Sequence, residues 1–574
     1  MLPREKAKFP ALLRALQGVV RAGKTPERVV AAVLNAVLDE RYPLLVRLTS
    51  SKAVQSHPAV ANFVRWLVPM NVAEIGFWVS SAYAQLVLPE FRRKRAMFFT
   101  PPMMGERLLD QMERAGVNWG AARVIDIACG GAAFLAPAGL RMAQRVAATG
   151  ATANQVLVHV ESHLHGIEIE RFLAKLSVTF VGMALYPWIV AAGRLPKLRV
   201  IVGNAMGRPA ILSERFDAVI CNPPYRKLTS EEAAELPAKL QRLVYFQPNL
   251  YNMFMARSLN LLSPMGVAGL LTPMSFLSGR SFVPLRQHLA TQRRVASIDI
   301  VEQRLGVFLG VQQDTAISTF APLLNRPTRT KVFAASSDQR WHSAGKVVLQ
   351  ATGAPWVLPR NADDATLIAH SNGQRLADYG YEPCIGDVVP LRETRALYAS
   401  HAEAKAAGVK HAVPMLRAAE IRSDGSLAFP RAGRSDCFLD ASSNAQGVIR
   451  LPCVALHRVS STDQRRRFVA APVPIELQQT HDGVIGENHV IFLTATRPDA
   501  LAPDLLVRIL GSEPVDRMFR CRSGSANVST YELSHLPMPD ASLVEQALAA
   551  GADIDTAVLR GYGIDSTNHQ GAPL

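Results

Sequence analysis

Val124-Ile-Asp126-Ile-Ala128-Cys129-Gly130-Gly131-Ala-Ala-Phe134-Leu135 reads as a short buried strand, a loop of small residues and the opening turn of a helix. β-Branched residues run into a carboxylate, and the loop that follows lets a ligand lie against the backbone. Downstream, further β-branched runs alternate with helical stretches: Val156-Leu157 to Ile169, Arg199 to Val202, Phe216 to Ile220, Gly266 to Leu271, Ile298 to Val301 and Thr315 to Phe320. That alternation predicts an α/β domain, a doubly wound and mostly parallel sheet with helices on both faces. Upstream, apolar residues recur at three- and four-residue spacing in Ala11 to Val20 and in Val29 to Val37, which predicts a helical N-terminal segment. Beyond about Arg326 the periodicity weakens, and short strand-like runs are separated by Gly, Pro, Ser and Asp clusters as far as Pro539, as in a mixed α+β domain. The expected division is 1–91 for the helical segment, 92–326 for the α/β domain, 327–545 for the mixed C-terminal domain and 546–574 for the tail.

A chain of 574 residues exceeds one ordinary core, so two or three domains are expected. The net charge of +16 favours a polyanionic partner, nucleic acid ahead of an anionic membrane surface. No N-terminal stretch combines a basic region, an apolar region and a small-residue cleavage site, which places the expected location in the cytoplasm. The longest apolar stretch, Trp66 to Pro89, holds Pro69, Asn71 and Glu74, which are costly to bury in lipid. Core helices are expected there, and no membrane partner. The six cysteines form no CxxC pair, against both a zinc site and a disulfide framework.

The strongest chemical signal is Phe216-Asp-Ala-Val-Ile-Cys-Asn222-Pro223-Pro224-Tyr225, a buried strand ending in two prolines and an aromatic ring. Prolines stop the ladder and stiffen the corner, at the carboxyl end of a strand where doubly wound sheets hold ligands. The Asn222 side-chain oxygen and the Pro223 carbonyl can accept from both N–H bonds of an amino group on an aromatic ring, drawing them out of its plane. Tyr225 supplies a flat face for a base, a contact worth about 1–3 kcal/mol. A plain strand-terminating turn is the alternative. At the first loop, Asp126 would repel a diphosphate and suits a ligand carrying ammonium and sulfonium charges, and the full G-x-G-x-x-G spacing is missing. In His165-Gly-Ile-Glu168-Ile-Glu170 an acidic residue closes a strand where ribose hydroxyls are held in nucleotide-binding sheets. Glu168 is favoured, with Glu170 the alternate because side chains alternate faces. Asn204, ending the next strand, suits an adenine or a turn.

In this order the motifs resemble the γ-class DNA adenine-N6 methyltransferases of restriction-modification systems, over about Ile75 to Pro539. Phe98-Phe-Thr100-Pro-Pro102 is similar to the family's upstream cofactor motif, and Asn222 to Tyr225 to its catalytic motif. Asn249-Leu-Tyr-Asn-Met-Phe254 and Leu271 to Gly279 continue the family's order, and Val307-Phe308 ahead of Asp314-Thr-Ala316 resembles the segment whose aromatic ring stacks on the flipped base. The resemblance implies a Rossmann-like fold and S-adenosylmethionine as cofactor, contacted by Thr100, Asp126, Ala128, Cys129, Gly130, Glu168 and Asn204. It implies that Asn222, Pro223, Pro224, Tyr225 and Phe308 hold the adenine, with no metal. Two departures stand out: the usual Asp-Pro-Ala-Cys-Gly-Ser-Gly reads Asp126 to Ala132 with Gly131 and Ala132 at its end, and the usual acidic residue of the third cofactor position is Asn204.

Double-stranded DNA is the expected partner, with a target-recognition domain at the C-terminus, where Arg417, Arg458, Arg465, Arg466 and Arg467 can meet phosphates or guanine edges. Any cleavage is left to a separate cognate restriction endonuclease. Competing readings are a methyltransferase for RNA or a protein glutamine, which use similar motifs, and a non-catalytic DNA-binding subunit.

Overall fold

The structure is a computed structural model and describes residues 3–207, 209–246, 249–301, 314–325, 328–336, 340–371, 373–460, 464–522 and 527–564. The chain divides into two compact units, the first comprising Met1–Phe276, Ser281–His342 and Val348–Gly353, the second Leu277–Arg280, Ser343–Val347 and Ala354–Leu574.

The first unit is built on a sheet of β1 (Val124–Asp126), β2 (Leu164–Glu168), β3 (Arg199–Val202), β4 (Phe216–Cys221), β5 (Leu262–Pro273), β6 (Arg294–Val301), β7 (Thr315–Ala321) and β8 (Thr330–Ala335). Their order is β3-β2-β1-β4-β5-β7-β6-β8. β1 pairs in parallel with both β2 and β4, β2 with β3, and β4 with β5, whereas β7 runs antiparallel between β5 and β6. This is a Rossmann-like, doubly wound arrangement. The chain winds one way from β1 through β3 and the other way from β4, so the switch point lies between β1 and β4, where the carboxyl ends of two neighbouring strands part to leave a crevice.

One sequence expectation fails locally. Val156 and Leu157 belong to a helix, Ala153–His163, and the strand begins only at Leu164. Thr152 and Gln155 form a capping box that closes the helix N-terminus, a local arrangement typically worth about 1 kcal/mol, and this outweighs the strand-like composition.

The helical segment at the N-terminus belongs to the same unit as the sheet. Its buried side chains, Val33, Phe63 and Trp78 among them, share one continuous core with Leu135, Leu176 and Val267. The apolar stretch from Trp66 resolves into the end of Pro58–Leu67 and the helix Val72–Leu86; Asn71 and Glu74 are that second helix's capping box. Among the described residues no single helix is long and apolar enough to cross a membrane. The second unit is mixed α+β. One antiparallel sheet joins Tyr381–Ile385, Val490–Ala495, Cys453–His457 and Ala470–Pro472, and a second four-stranded sheet includes Ala412–Leu416 and Phe438–Asp440. Helices Pro503–Leu510 and Glu513–Arg520 pack into a core with Leu456, Ile491 and Val558.

Candidate active site

Asp126 ends β1 and is 1% exposed. Its Oδ1 accepts from the Ala128 N–H at 3.0 Å, and its Oδ2 is buried with no hydrogen-bond partner among the described residues. Burial pushes its carboxyl up to about 8; the Ala128 N–H opposes the shift and the neighbouring Glu168 charge adds to it. A buried carboxyl with one unmet oxygen is built to receive a donor, and a cationic one most strongly. The loop beyond it is pinned on several sides. Cys129 N–H donates to the Ile167 carbonyl at 3.0 Å, Gly130 N–H to Glu168 Oε2 at 2.9 Å, and the Ser177 hydroxyl to the Gly130 carbonyl at 2.5 Å. Gly130 and Ala132 both take left-handed backbone conformations, at φ 49° and 58°. Burial holds the Cys129 thiol well above its ordinary value, so it stays neutral and shapes the loop.

Glu168 and Glu170, both left open on sequence, meet different partners. Glu168, nine-tenths buried at the end of β2, accepts from Gly130 and, through Oε1, from the Glu170 N–H at 2.8 Å. Burial raises its carboxyl above the usual range, against those backbone donors. Glu170 caps the helix Arg171–Ala184, accepting from Phe172 and Leu173 N–H at 3.0 and 2.7 Å. Asn204 Oδ1 accepts from the Met206 N–H at 2.9 Å, so this residue closes a turn.

β4 delivers the proline corner to the same place. Asn222 Nδ2 donates to Thr100 Oγ1 at 2.9 Å, joining the corner to the buried residue that precedes the helix Pro102–Arg114. The Tyr225 hydroxyl donates to the Leu271 carbonyl at 3.0 Å, and its ring lies 6.4 Å from that of Phe98, 18° from parallel. All seven residues expected at the cofactor, with Asn222 and Pro224, line a single cavity of about 260 Å³. Pro223 and Tyr225 lie beside it, outside its wall. Phe308 falls outside the described residues. Residues not anticipated on sequence also line the cavity: Phe98 and Phe99, which stand next to Thr100 in the quoted motif and were passed over for it, and Phe254.

The arginines expected at nucleic acid divide. Arg467 is fully buried, its guanidinium 5.4 Å over the Phe519 ring and its Nε 3.3 Å from the Ser460 hydroxyl, which corrects its expected surface role to a packing one. Arg417 pairs with Asp436, Arg458 donates to the Asn488 carbonyl at 2.8 Å, and Arg466 to the Gly511 carbonyl at 3.2 Å. Arg465 is exposed.

The chain is similar to known proteins of one kind. Residues 195–308 match the family of Eco57I restriction-modification methylases. The chain is 24% identical over 349 residues to the type II methyltransferase M.BsuBI of Bacillus subtilis, covering 58% of this chain and 66% of that protein, just under two thirds. It is 23% identical over 353 residues to the type II methyltransferase M.PstI of Providencia stuartii, covering 58% and 67%. Among solved structures, the type IIL restriction-modification enzyme MmeI in complex with DNA superposes with a TM-score of 0.54 at 11% identity, over 91% of this chain and 83% of that one, a likeness of fold.

Proposed function

We propose that this chain, which carries a methylase domain of the restriction-modification type, transfers a methyl group from S-adenosylmethionine to the N6 amino group of an adenine flipped out of double-stranded DNA. The observation that carries this reading is the Asn222 amide. Its NH2 is engaged by Thr100, which leaves Oδ1 as an acceptor on the cavity that also holds Asp126 and Glu168. An exocyclic amine is a poor nucleophile because its lone pair is delocalised into the ring. Two acceptors, Asn222 Oδ1 and the Pro223 carbonyl, pull its N–H bonds out of plane and return the lone pair to nitrogen.

The residues present fit the cofactor. Asp126, with its unmet buried oxygen, suits the cationic amino-acid end, Glu168 the ribose hydroxyls, and the small residues Ala128, Cys129 and Gly130 a close approach to the backbone, with Thr100 and Asn204 completing the wall. S-adenosylmethionine supplies an electrophilic methyl on a sulfonium. The protein's part is to align the amine with it, a matter of positioning and of acceptor contacts that strengthen as the nitrogen becomes positive. Extruding the base costs a few kcal/mol, which stacking on Tyr225, with Phe308 as the second face, partly offsets. The second unit is the target-recognition domain in this reading, Arg465 the most accessible of its expected contacts, and a separate endonuclease the cleaving partner.

Expression in a host free of DNA methylation, followed by sequencing of the genome for modified adenine, tests the function directly: N6-methyladenine at one recurring site supports it, and an unmodified genome overturns it. Asn222→Ala is expected to keep cofactor and DNA binding and to lose turnover by roughly a hundredfold or more. Near-normal turnover would remove Asn222 from the mechanism.

A further inference from the structure

The helix Val72–Leu86 presents one face, Gly76, Ser80 and Tyr83, to the loop after β1 and to Glu170 beyond β2. These positions are four and three residues apart and therefore lie in one line along a helix. A Cβ on Gly76 would stand 3.7 Å from the Gly131 carbonyl oxygen. The Tyr83 hydroxyl donates to Glu27 Oε1 at 3.1 Å and lies against Glu170, the cap of the helix that follows Glu168. Between them is Ser80, 1% exposed. A Cβ built on Gly131 would fall 2.0 Å from Ser80 Oγ and 2.8 Å from Ser80 Cβ. Gly131 has no left-handed backbone, so it is glycine for space alone: the Ser80 side chain occupies the volume that a side chain at 131 would take. The Ser80 hydroxyl is also buried with no hydrogen-bond partner among the described residues. Burying a hydroxyl unpaired is unfavourable, and a pure packing contact would be better served by alanine.

We propose that Ser80 is a positioning residue of the cofactor site, a hydroxyl contributed by the N-terminal helical segment in place of a side chain at position 131, which holds the Gly130–Ala132 turn in its binding shape when the cofactor enters. This rests on the reading of the cavity as the S-adenosylmethionine site. The segment 1–91 is then a working part of that site.

The test is equilibrium dialysis of the full chain with radiolabelled S-adenosylmethionine, alongside thermal melting without it. Binding by the wild-type chain tests the underlying reading; the ratios between variants test Ser80. Ser80→Ala is expected to weaken cofactor binding about tenfold, the equilibrium weight of one ordinary hydrogen bond, with melting of the protein alone unchanged or raised. Gly131→Ser alone, which drives a side chain into Ser80, is expected to bind more weakly still. The exchange Ser80→Gly with Gly131→Ser moves the hydroxyl from helix to loop and is expected to recover affinity to within about threefold of wild type, a coupling that a double-mutant cycle isolates. Wild-type affinity in Ser80→Ala overturns the proposal, as does an exchange variant that binds no better than Gly131→Ser.

Discussion

Asp126 holds a proton near neutral pH because burial pushes its carboxyl up to about 8, while one of its oxygens has no hydrogen-bond partner among the described residues. A cationic ligand beside it favours the ionised form, so cofactor binding at pH 7 should expel up to one proton. Affinity is therefore expected to rise as pH increases from about 6.5 and to level off once Asp126 is ionised before binding, above about 8. Titration calorimetry at pH 7 in buffers of different ionisation enthalpy measures the released proton directly. The same shift acts on the fold with opposite sense. The folded-state value lies above the unfolded one of about 3.9, so the folded chain keeps a proton that the unfolded chain has lost. Asp126 thus contributes stability at acid pH that disappears as pH rises through 8. Asp126→Asn should flatten both profiles; an affinity that does not vary with pH in the wild type would show that Asp126 does not face the cation.

At the scale of the element, the turn after β1 carries its strain in Ala132. A left-handed alanine costs about 1 kcal/mol or more relative to a residue without Cβ, and replacing it by glycine returns part of that to the unfolded chain's entropy. Ala132→Gly is expected to stabilise the protein by about 0.5 kcal/mol and to leave cofactor binding intact, readable by denaturant titration; a clear loss of stability would mean that the alanine methyl is held by packing that outweighs the strain. This turn also shows which elements were legible in the sequence. The strand, the small-residue loop and the proline corner each carry a local signature, so Asp126, Glu168, Asn204 and Asn222 could be named from it, and all line one cavity. What escaped depends on contacts between distant segments. Val156-Leu157 is as apolar as a strand, yet it lies in a helix whose start the Thr152–Gln155 capping box marks. Nothing within Gly-Phe-Trp-Val-Ser80 signals that its serine will meet Gly131, and Arg465 to Arg467 is one basic run of which the fold exposes the first member and buries the last.

For the whole molecule, a net charge of +16 makes association with DNA an electrostatic event, in which each neutralised phosphate releases counterions and steepens the dependence on salt. Charge alone does not name the contacts, and the first and last arginines of the run at 465–467 separate the alternatives. Arg465 is exposed, whereas Arg467 is enclosed against Phe519 and Ser460. If Arg465 meets a phosphate, Arg465→Ala should weaken DNA binding across all sequences and lower the slope of log affinity against log salt by about one, with melting unchanged. Arg467→Ala should do the reverse, removing a buried side chain and its hydrogen bonds at about 3 kcal/mol of stability, with a slope like that of wild type in whatever fraction remains folded. Fluorescence anisotropy on labelled duplex between 50 and 200 mM salt, a range across which a protein with several phosphate contacts loses on the order of a thousandfold in affinity, resolves a change of one unit in slope. An unchanged slope in Arg465→Ala would take this arginine out of the DNA contact and leave the basic run with a structural role alone.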